Sequence, residues 1–295
     1  MTGYIMVTPA KNEEIFLPKV IESVCSSSLI PELWIIVDDN SSDKTPDILN
    51  QFSKKYNFLE VLSLKEEHPR DLIFHYSYVC VTGFDYLIKR AKEINISWDY
   101  IVLLDADTIV SNNYFQCVLR EMDLNSKVGI ASGDVHIFKE GVVKRVKVLG
   151  DVPSGTARVW RKKCFFETGG YKITQAPDSV SRAKACLKGW EVKRFGKYCA
   201  YQLRDTSSAT GLWKGFHTKG KSAHYLNVHP LLVILTSISL VIKKPYYICV
   251  AYLSGYLLSV FRKENQIDDS EIKDYFWNKR IKYLFSKSIF YYFRH

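Results

Sequence analysis

A chain of 295 residues with 47% apolar content has the material for one large hydrophobic core or two modest ones. Its 41 Lys and Arg against 31 Asp and Glu give a net charge of +10, which points to a polyanionic partner: a membrane face, nucleic acid or phosphorylated substrates. Seven cysteines, odd in number and scattered without a Cys-x-x-Cys pair, argue against a zinc site or a disulfide framework and fit small core residues in a reducing compartment. The opening "MTGYIMVTPAKNEE" has neither a basic start nor a long apolar run, so it does not read as a secretory signal.

The first half alternates short β-branched runs with stretches of helical periodicity. "YIMVT" (4–8), "LWIIV" (33–37), "FLEVLSL" (58–64), "YIVLL" (100–104) and "VGIAS" (128–132) read as strands. Between them "IFLPKVIESVCSS", "TPDILNQFSKKY", "SYVCVTGFDYLIKRAKE" and "NYFQCVLREM" place apolar residues three and four apart, as amphipathic helices do. The expectation is an open α/β sheet, which binds ligands beyond the C-terminal ends of its strands. Polar clusters stand at three such ends: "TPAKNEE", "DDNSSDKT" and "DADT". Asp, Asn and Ser also favour turns and helix caps, which is the competing reading of any one cluster.

Beyond residue 134 the pattern predicts β structure with turns, then a short helix in "RKKCFFETGGY" stopped by a glycine pair. "PDSVSRAKACLKGW" predicts a helix with Asp178 at its start, and "EVKRFGKYCAYQL" an extended strand. These elements complete a first, α/β domain over 1–225, followed by a helical region over 226–295. There "VHPLLVILTSISLVI" (228–242) and "YYICVAYLSGYLLSVF" (246–261) are uncharged and apolar, each just short of the roughly 17 to 25 residues that a spanning helix needs. The tail "YFWNKRIKYLFSKSIFYYFRH" interleaves cations and aromatics as an interfacial amphipathic helix does. A spanning hairpin would put Lys243 and Lys244 on the far side, against the positive-inside tendency, so a monotopic or peripheral placement on the cytoplasmic face of the membrane is preferred. A helical pair buried in a core or a dimer interface is the alternative.

The chemistry starts from Asp105 and Asp107. Two carboxylates one residue apart repel unless they share a cation, and Mg2+ is usually held by one or two carboxylates plus substrate phosphates. With Ala106 between them, both can point to one side of an extended segment. An Asp-x-Asp triplet alone is a weak signal, since a charged turn accounts for it equally well.

Together with its neighbours the triplet carries a resemblance. "VTPAKNEE", "IIVDDNSSDKT", "VLLDADT", "SGTARVWRKKCFFETGGY" and "APDSVSRAKACLKGWEV", in that order, resemble the motifs of the family 2 glycosyltransferases over residues 4 to about 205. The resemblance implies a GT-A fold, a Rossmann-like mixed sheet flanked by helices; the C-terminal membrane-associating extension lies beyond it and is read from its own apolar and aromatic-basic runs. It implies an inverting transfer from a nucleotide diphosphate sugar, UDP- or GDP-linked, to a sugar or lipid-linked acceptor, with Mn2+ or Mg2+ as cofactor.

By the same resemblance Pro9, Ala10 and Asn12 flank the nucleotide base, Glu14 holds the loop, and Asp39 accepts from the base N–H with Asp38 as its turn-forming partner. Asp105 faces the ribose or the metal's waters, and Asp107 binds the metal. Asp178 is the base that deprotonates the acceptor, although the family's frequent Glu-Asp is here Pro177-Asp178, and a helix cap is the competing role. Arg158 and Arg161 fall in the acceptor-side segment as phosphate contacts, with ordinary surface arginines as the alternative. Arg204, Lys219 or His224 could form a basic flap over the diphosphate. The Gln-x-x-Arg-Trp of processive members is not matched by Gln202-Leu203-Arg204-Asp205, which favours single-sugar transfer. A nucleotidyltransferase would show a Gly-rich phosphate loop that "VTPAKNEEIF" lacks. A basic membrane- or nucleic-acid-binding module would leave three acidic strand ends without a reason, and no nucleic acid partner is expected.

Overall fold

Alternation along each strand decides the layering, because successive side chains leave a strand on opposite faces. On β1 (Tyr4–Ala10), Tyr4 and Met6 enter one core while Ile5 and Val7 enter the other. Both faces are covered, which is why this strand and β2 (Leu33–Asp38) read as continuous apolar runs. A polar atom that enters this core is paired: Trp34 Nε1 donates to Thr8 Oγ1 at 2.9 Å.

The computed structural model describes residues 3–65, 74–139, 141–145, 152–204, 211–242 and 244–282. Chain order after β1 is α1 (Leu17–Cys25), β2, α2 (Thr45–Lys55), β3 (Leu59–Ser63), α3 (His75–Glu93), β4 (Tyr100–Leu103), β5 (Thr108–Val110) and α4 (Tyr114–Leu124). Then come β6 (Val128–Lys139), β7 (Val142–Lys144), β8 (Arg158–Arg161), α5 (Lys162–Glu167), α6 (Pro177–Leu187) and β9 (Glu191–Gln202). The strands form one mixed sheet in the order β3-β2-β1-β4-β8-β6-β9-β5, with β7 on β6. The first four are parallel; β8 runs antiparallel to β4. The order reverses between β1 and β4: the chain steps outward to β2 and β3, then returns to the other side of β1. Such a switch point opens a crevice beyond the strand ends, and Pro9, Ala10 and the Asp105–Asp107 triplet stand at those ends.

The α/β sheet with flanking helices expected from the sequence is present, and Gly169 and Gly170 (φ 75° and 72°) end α5 as the glycine pair predicts. The division of the chain differs. It falls into two compact units at Arg204/Asp205, not at 225/226. The difference is α7 (Leu212–Tyr225), a helix that groups with α8 (Pro230–Val241), α9 (Tyr247–Phe261) and α10 (Ser270–Asp274), after which a π-helical turn covers Tyr275–Lys279. The physical reason is a glycine contact: a Cβ on Gly220 of α7 would lie 2.0 Å from the Tyr252 carbonyl oxygen of α9, and one on Gly255 would lie 2.0 Å from that of His217. Backbones this close admit no side chain at either place. Gly220→Val is therefore expected to cost on the order of 1–3 kcal/mol or more through overpacking, read as a lowered unfolding midpoint in urea.

Candidate active site

Two loops beyond β1 and β2 are laced together by the polar residues that the sequence marks there. Asn12, in the left-handed region at φ 56°, accepts the Ser42 N–H through Oδ1 at 2.8 Å, while its own N–H donates to Ser41 Oγ at 2.9 Å. Glu14 accepts the Lys44 N–H at 3.0 Å, and Asp38 accepts that of Ser41 at 3.2 Å. Glu14 thus ties one loop to the other, and Asp38 accepts within its own turn. Asp39 is nearly buried; its Oδ2 accepts from Lys11 Nζ at 3.1 Å and lies 2.7 Å from His75 Nε2.

The Asp-x-Asp segment lies between β4 and β5. Asp105 is held on both sides: Tyr76 Oη donates to its Oδ1 at 2.7 Å, and its N–H donates to Thr156 Oγ1 at 3.0 Å. Burial, then the charge of Asp107, push the Asp105 carboxyl up to about 7. Asp107 is nearly buried, and its Oδ2 accepts from Arg204 Nε at 2.5 Å. The same guanidinium reaches Glu13 Oε1 through Nη2 at 2.6 Å. Burial pushes the Glu13 carboxyl up as well, and its Oε2 is buried with no hydrogen-bond partner among the described residues.

This carboxylate set suits a hard divalent cation, which takes oxygen ligands, and the orphaned Glu13 oxygen offers one more. As they stand, no three His, Cys, Asp or Glu side chains among the described residues converge closely enough to hold a metal. Arg204 lies between two of the carboxylates instead.

Asp178 is the second residue of α6. The cap position is Ala176, without a side-chain cap, so Asp178 does not serve as the helix cap. Its Oδ1 accepts from Tyr171 Oη at 3.1 Å and lies 3.3 Å from Arg158 Nη1. Its Oδ2 would stand 2.4 Å from any Cβ at position 155, so Gly155 makes room for the carboxylate. Asp178 is near enough to Asp105 to help raise its pKa. One open-edged site therefore contains a metal-type carboxylate set and a separately held, 40% exposed carboxylate.

Comparison with known proteins places the sequence and the fold among related chains. Residues 5–70 match the glycosyl transferase family 2 sequence model. Over those residues the chain carries that family's sequence signature. A β-monoglucosyldiacylglycerol synthase of Trichormus variabilis is 45% identical over 253 residues, covering 77% of this chain and 51% of the relative. A poly-β-1,6-N-acetyl-D-glucosamine synthase of Staphylococcus epidermidis is 22% identical, covering 72% and 52%. The chain thus spans about half the length of these curated relatives. Among solved structures, a mannosyltransferase from Pyrobaculum calidifontis in complex with GDP-Man and Mn2+ superposes with a TM-score of 0.57 at 13% identity, covering 88% of each chain. The fold is of the GT-A type.

Other sequence-marked residues fall differently. Arg158 is not a surface arginine: it is 3% exposed and donates to the carbonyls of Ser154, Pro153 and Asp178 at 2.6, 3.1 and 3.1 Å. Its donors are committed to the loop before β8 and to α6, not to a phosphate. Arg161 is away from the strand ends, because the antiparallel register sets it opposite Tyr100 while Leu103 meets Arg158. There it donates to the carbonyls of Met122 at 2.5 Å and Val128 at 3.1 Å, closing the end of α4. Lys219 and His224 lie on α7 in the second unit, as part of a helix and not of a flap; Lys219 Nζ stands over the Phe216 ring and His224 packs edge-on against Tyr256. Glu13, His75, Tyr76, Tyr171 and Gly155 were not singled out by the sequence. Only Glu13, beside Glu14, had a signal there, and burial is what separates the two.

Because Arg158 satisfies buried carbonyls, Arg158→Met is expected to lower stability by on the order of 1–3 kcal/mol in urea unfolding, the cost of leaving such groups unpaired. A phosphate ligand would instead leave stability unchanged and weaken donor binding.

Proposed function

We propose that this chain is an inverting glycosyltransferase that moves one sugar from a UDP- or GDP-linked donor to the hydroxyl of a lipid or lipid-linked acceptor at a membrane surface. The observation that carries the reading is the placement of Asp178 beside, but separate from, the carboxylates at the switch point. Asp178 takes the acceptor's proton as the acceptor oxygen attacks the anomeric carbon. The bond from that carbon to the diphosphate oxygen breaks on the opposite face, and the nucleoside diphosphate departs. A divalent cation, Mn2+ or Mg2+, on Asp107 and Asp105 would supply the charge that stabilises the leaving diphosphate. Pro9, Ala10, Asn12 and Asp39 line the base end, with Lys11 and His75 fixing the Asp39 carboxylate. Solved neighbours containing GDP-Man with Mn2+ or UDP with Mn2+ support this donor class.

The acceptor class rests on the relative named as a monoglucosyldiacylglycerol synthase and on the second unit. No helix of the described residues is long and apolar enough to cross a membrane. At about 1.5 Å per residue, the 12 residues of α8 and 15 of α9 fall short of a roughly 30 Å hydrocarbon core. Yet Ile234, Ile238, Ile242, Leu257 and Phe261 are exposed, as a shallowly inserted pair requires. Residues 205–295 carry 13 Lys and Arg against 6 Asp and Glu, which favours an anionic lipid face. The aromatic and basic tail from 283 onward lies outside the described residues. The lack of a Gln-x-x-Arg-Trp motif supports transfer of a single sugar.

A screen of UDP- and GDP-sugars with diacylglycerol-type acceptors in mixed micelles, with Mn2+, Mg2+ or EDTA, tests the activity. Asp178→Asn is expected to lower turnover by about 10²- to 10⁴-fold, the usual worth of a positioned base, with donor affinity kept. Gly155→Ala, which displaces the same carboxylate, should lower kcat by up to about 10²-fold, as misplacement by an ångström does. Near-normal turnover of Asp178→Asn would move the base elsewhere. For the membrane, the intact chain should sediment with anionic vesicles, and Ile238→Asp with Phe261→Asp should abolish this; equal binding by the double variant would refute the inserted helix pair.

A further inference from the structure

The position of Arg204 is dictated by the sheet. β5 and β9 pair antiparallel with Thr108 opposite Gln202, and the next bond, Leu203 N–H to the Asp107 carbonyl at 2.8 Å, carries the pairing past the strand's end. The residue after Leu203 is therefore laid beside the Asp-x-Asp segment. Its guanidinium bridges Asp107 Oδ2 and Glu13 Oε1, and its carbon stands 5.8 Å over the Phe16 ring. Both carboxylate side chains are only 7% exposed, whereas Arg204 is 40% exposed. The buried second oxygen of Glu13 has no hydrogen-bond partner among the described residues, so the guanidinium compensates this pair incompletely.

We propose that Arg204 is a built-in stand-in for the divalent cation: it neutralises Asp107 and Glu13 while the cleft is empty, and leaves Asp107 for the donor's diphosphate when metal binds. The inference rests on the metal-dependent reading of the site. Two cations cannot occupy the same carboxylate face, so metal competes with the guanidinium when it binds alone. A nucleoside diphosphate removes the competition by giving the displaced guanidinium a new anionic partner, a pairing for which its planar fork of N–H donors is suited. Metal and nucleotide then bind with positive coupling, each raising the affinity of the other by the same factor. Arg204 is a positioning and coupling residue in this scheme, and Glu13 is the second anchor that keeps it close.

The test is Mn2+ binding to the full chain, followed by the electron paramagnetic resonance of free Mn2+, with and without UDP or GDP. Wild type should bind Mn2+ weakly alone and about tenfold or more tightly with the cognate nucleotide, within the usual range of such couplings. Arg204→Gln should bind Mn2+ alone about tenfold more tightly than wild type and lose most of the nucleotide enhancement. Adding Asp107→Asn to that variant should abolish the gain. Arg204→Lys, which keeps a cation but not the two-pronged bridge, should fall between and shows that the effect is not a failure to fold. If Arg204→Gln binds Mn2+ no more tightly while wild type still takes Mn2+ with nucleotide, the stand-in is overturned and the metal-dependent site survives. If wild type binds no Mn2+ even with nucleotide, both readings fall.

Discussion

Carboxylates gathered at one edge of a sheet repel, and the surroundings of Glu13, Asp105 and Asp107 are arranged around the need to compensate them. The strand order makes the gathering unavoidable: β1 and β4 are neighbours in the sheet but distant in sequence, so the residues just beyond their ends converge. Burial sharpens the conflict, holding Asp105 up to about 7. Each compensation enters from a different element: Arg204 from beyond β9, Tyr76 from α3 and the Thr156 side chain, which favours the ionised Asp105 carboxyl, from the loop before β8. A site whose charge balance needs three elements is assembled only when the fold is complete.

Around this centre the structure separates two tasks. The loops after β1 and β2 are locked to each other through backbone N–H groups meeting Asn12, Glu14 and Asp38. That network spends polar side chains on the shape of the strand-end surface, which the proposed function assigns to the nucleotide base. Asp178 is placed independently, by Tyr171, by the buried Arg158 and by the missing side chain of Gly155. On the proposed reading Asp178 would accept a proton, and a cation beside it would lower its proton affinity, so its separation from Asp105 and Asp107 fits that role. Anchoring it on α6 through a buried arginine keeps it close without merging the two.

Much of the scaffold was legible because strands buried on both faces leave unbroken apolar runs, as in "LWIIV" and "YIVLL", and because each run ends abruptly in polar residues. What the sequence hid depends on pairing and burial. Arg158 and Arg161 are three residues apart and look equivalent, yet the antiparallel register against β4 sends one to the site and the other to the end of α4. Glu13 and Glu14 are adjacent, and only the fold buries one against Arg204 while the other links two loops. Helix α7 was missed because Gly215 and Gly220 depress helix propensity; Gly220 is there for contact with α9, an interaction that no local pattern reports.

The distribution of charge supports the same division of labour. Of the net +10, the first unit carries only a small part, with 28 Lys and Arg against 25 Asp and Glu over residues 1–204, and the remainder lies in the second. In the first unit, cations such as Arg158, Arg161 and Arg204 are bound to the protein's own carbonyls and carboxylates. They are therefore poorly placed to attract polyanions from a distance, and a field of Debye-length range would have to come from unpaired surface charge. The second unit combines the larger excess with exposed apolar helices too short to span a bilayer. A cationic excess alone would suit any polyanion, and an exposed apolar helix alone would suit a protein partner. The anionic lipid surface of the proposed function would satisfy both at once, offering headgroups to the lysines and acyl chains to the isoleucines and phenylalanine.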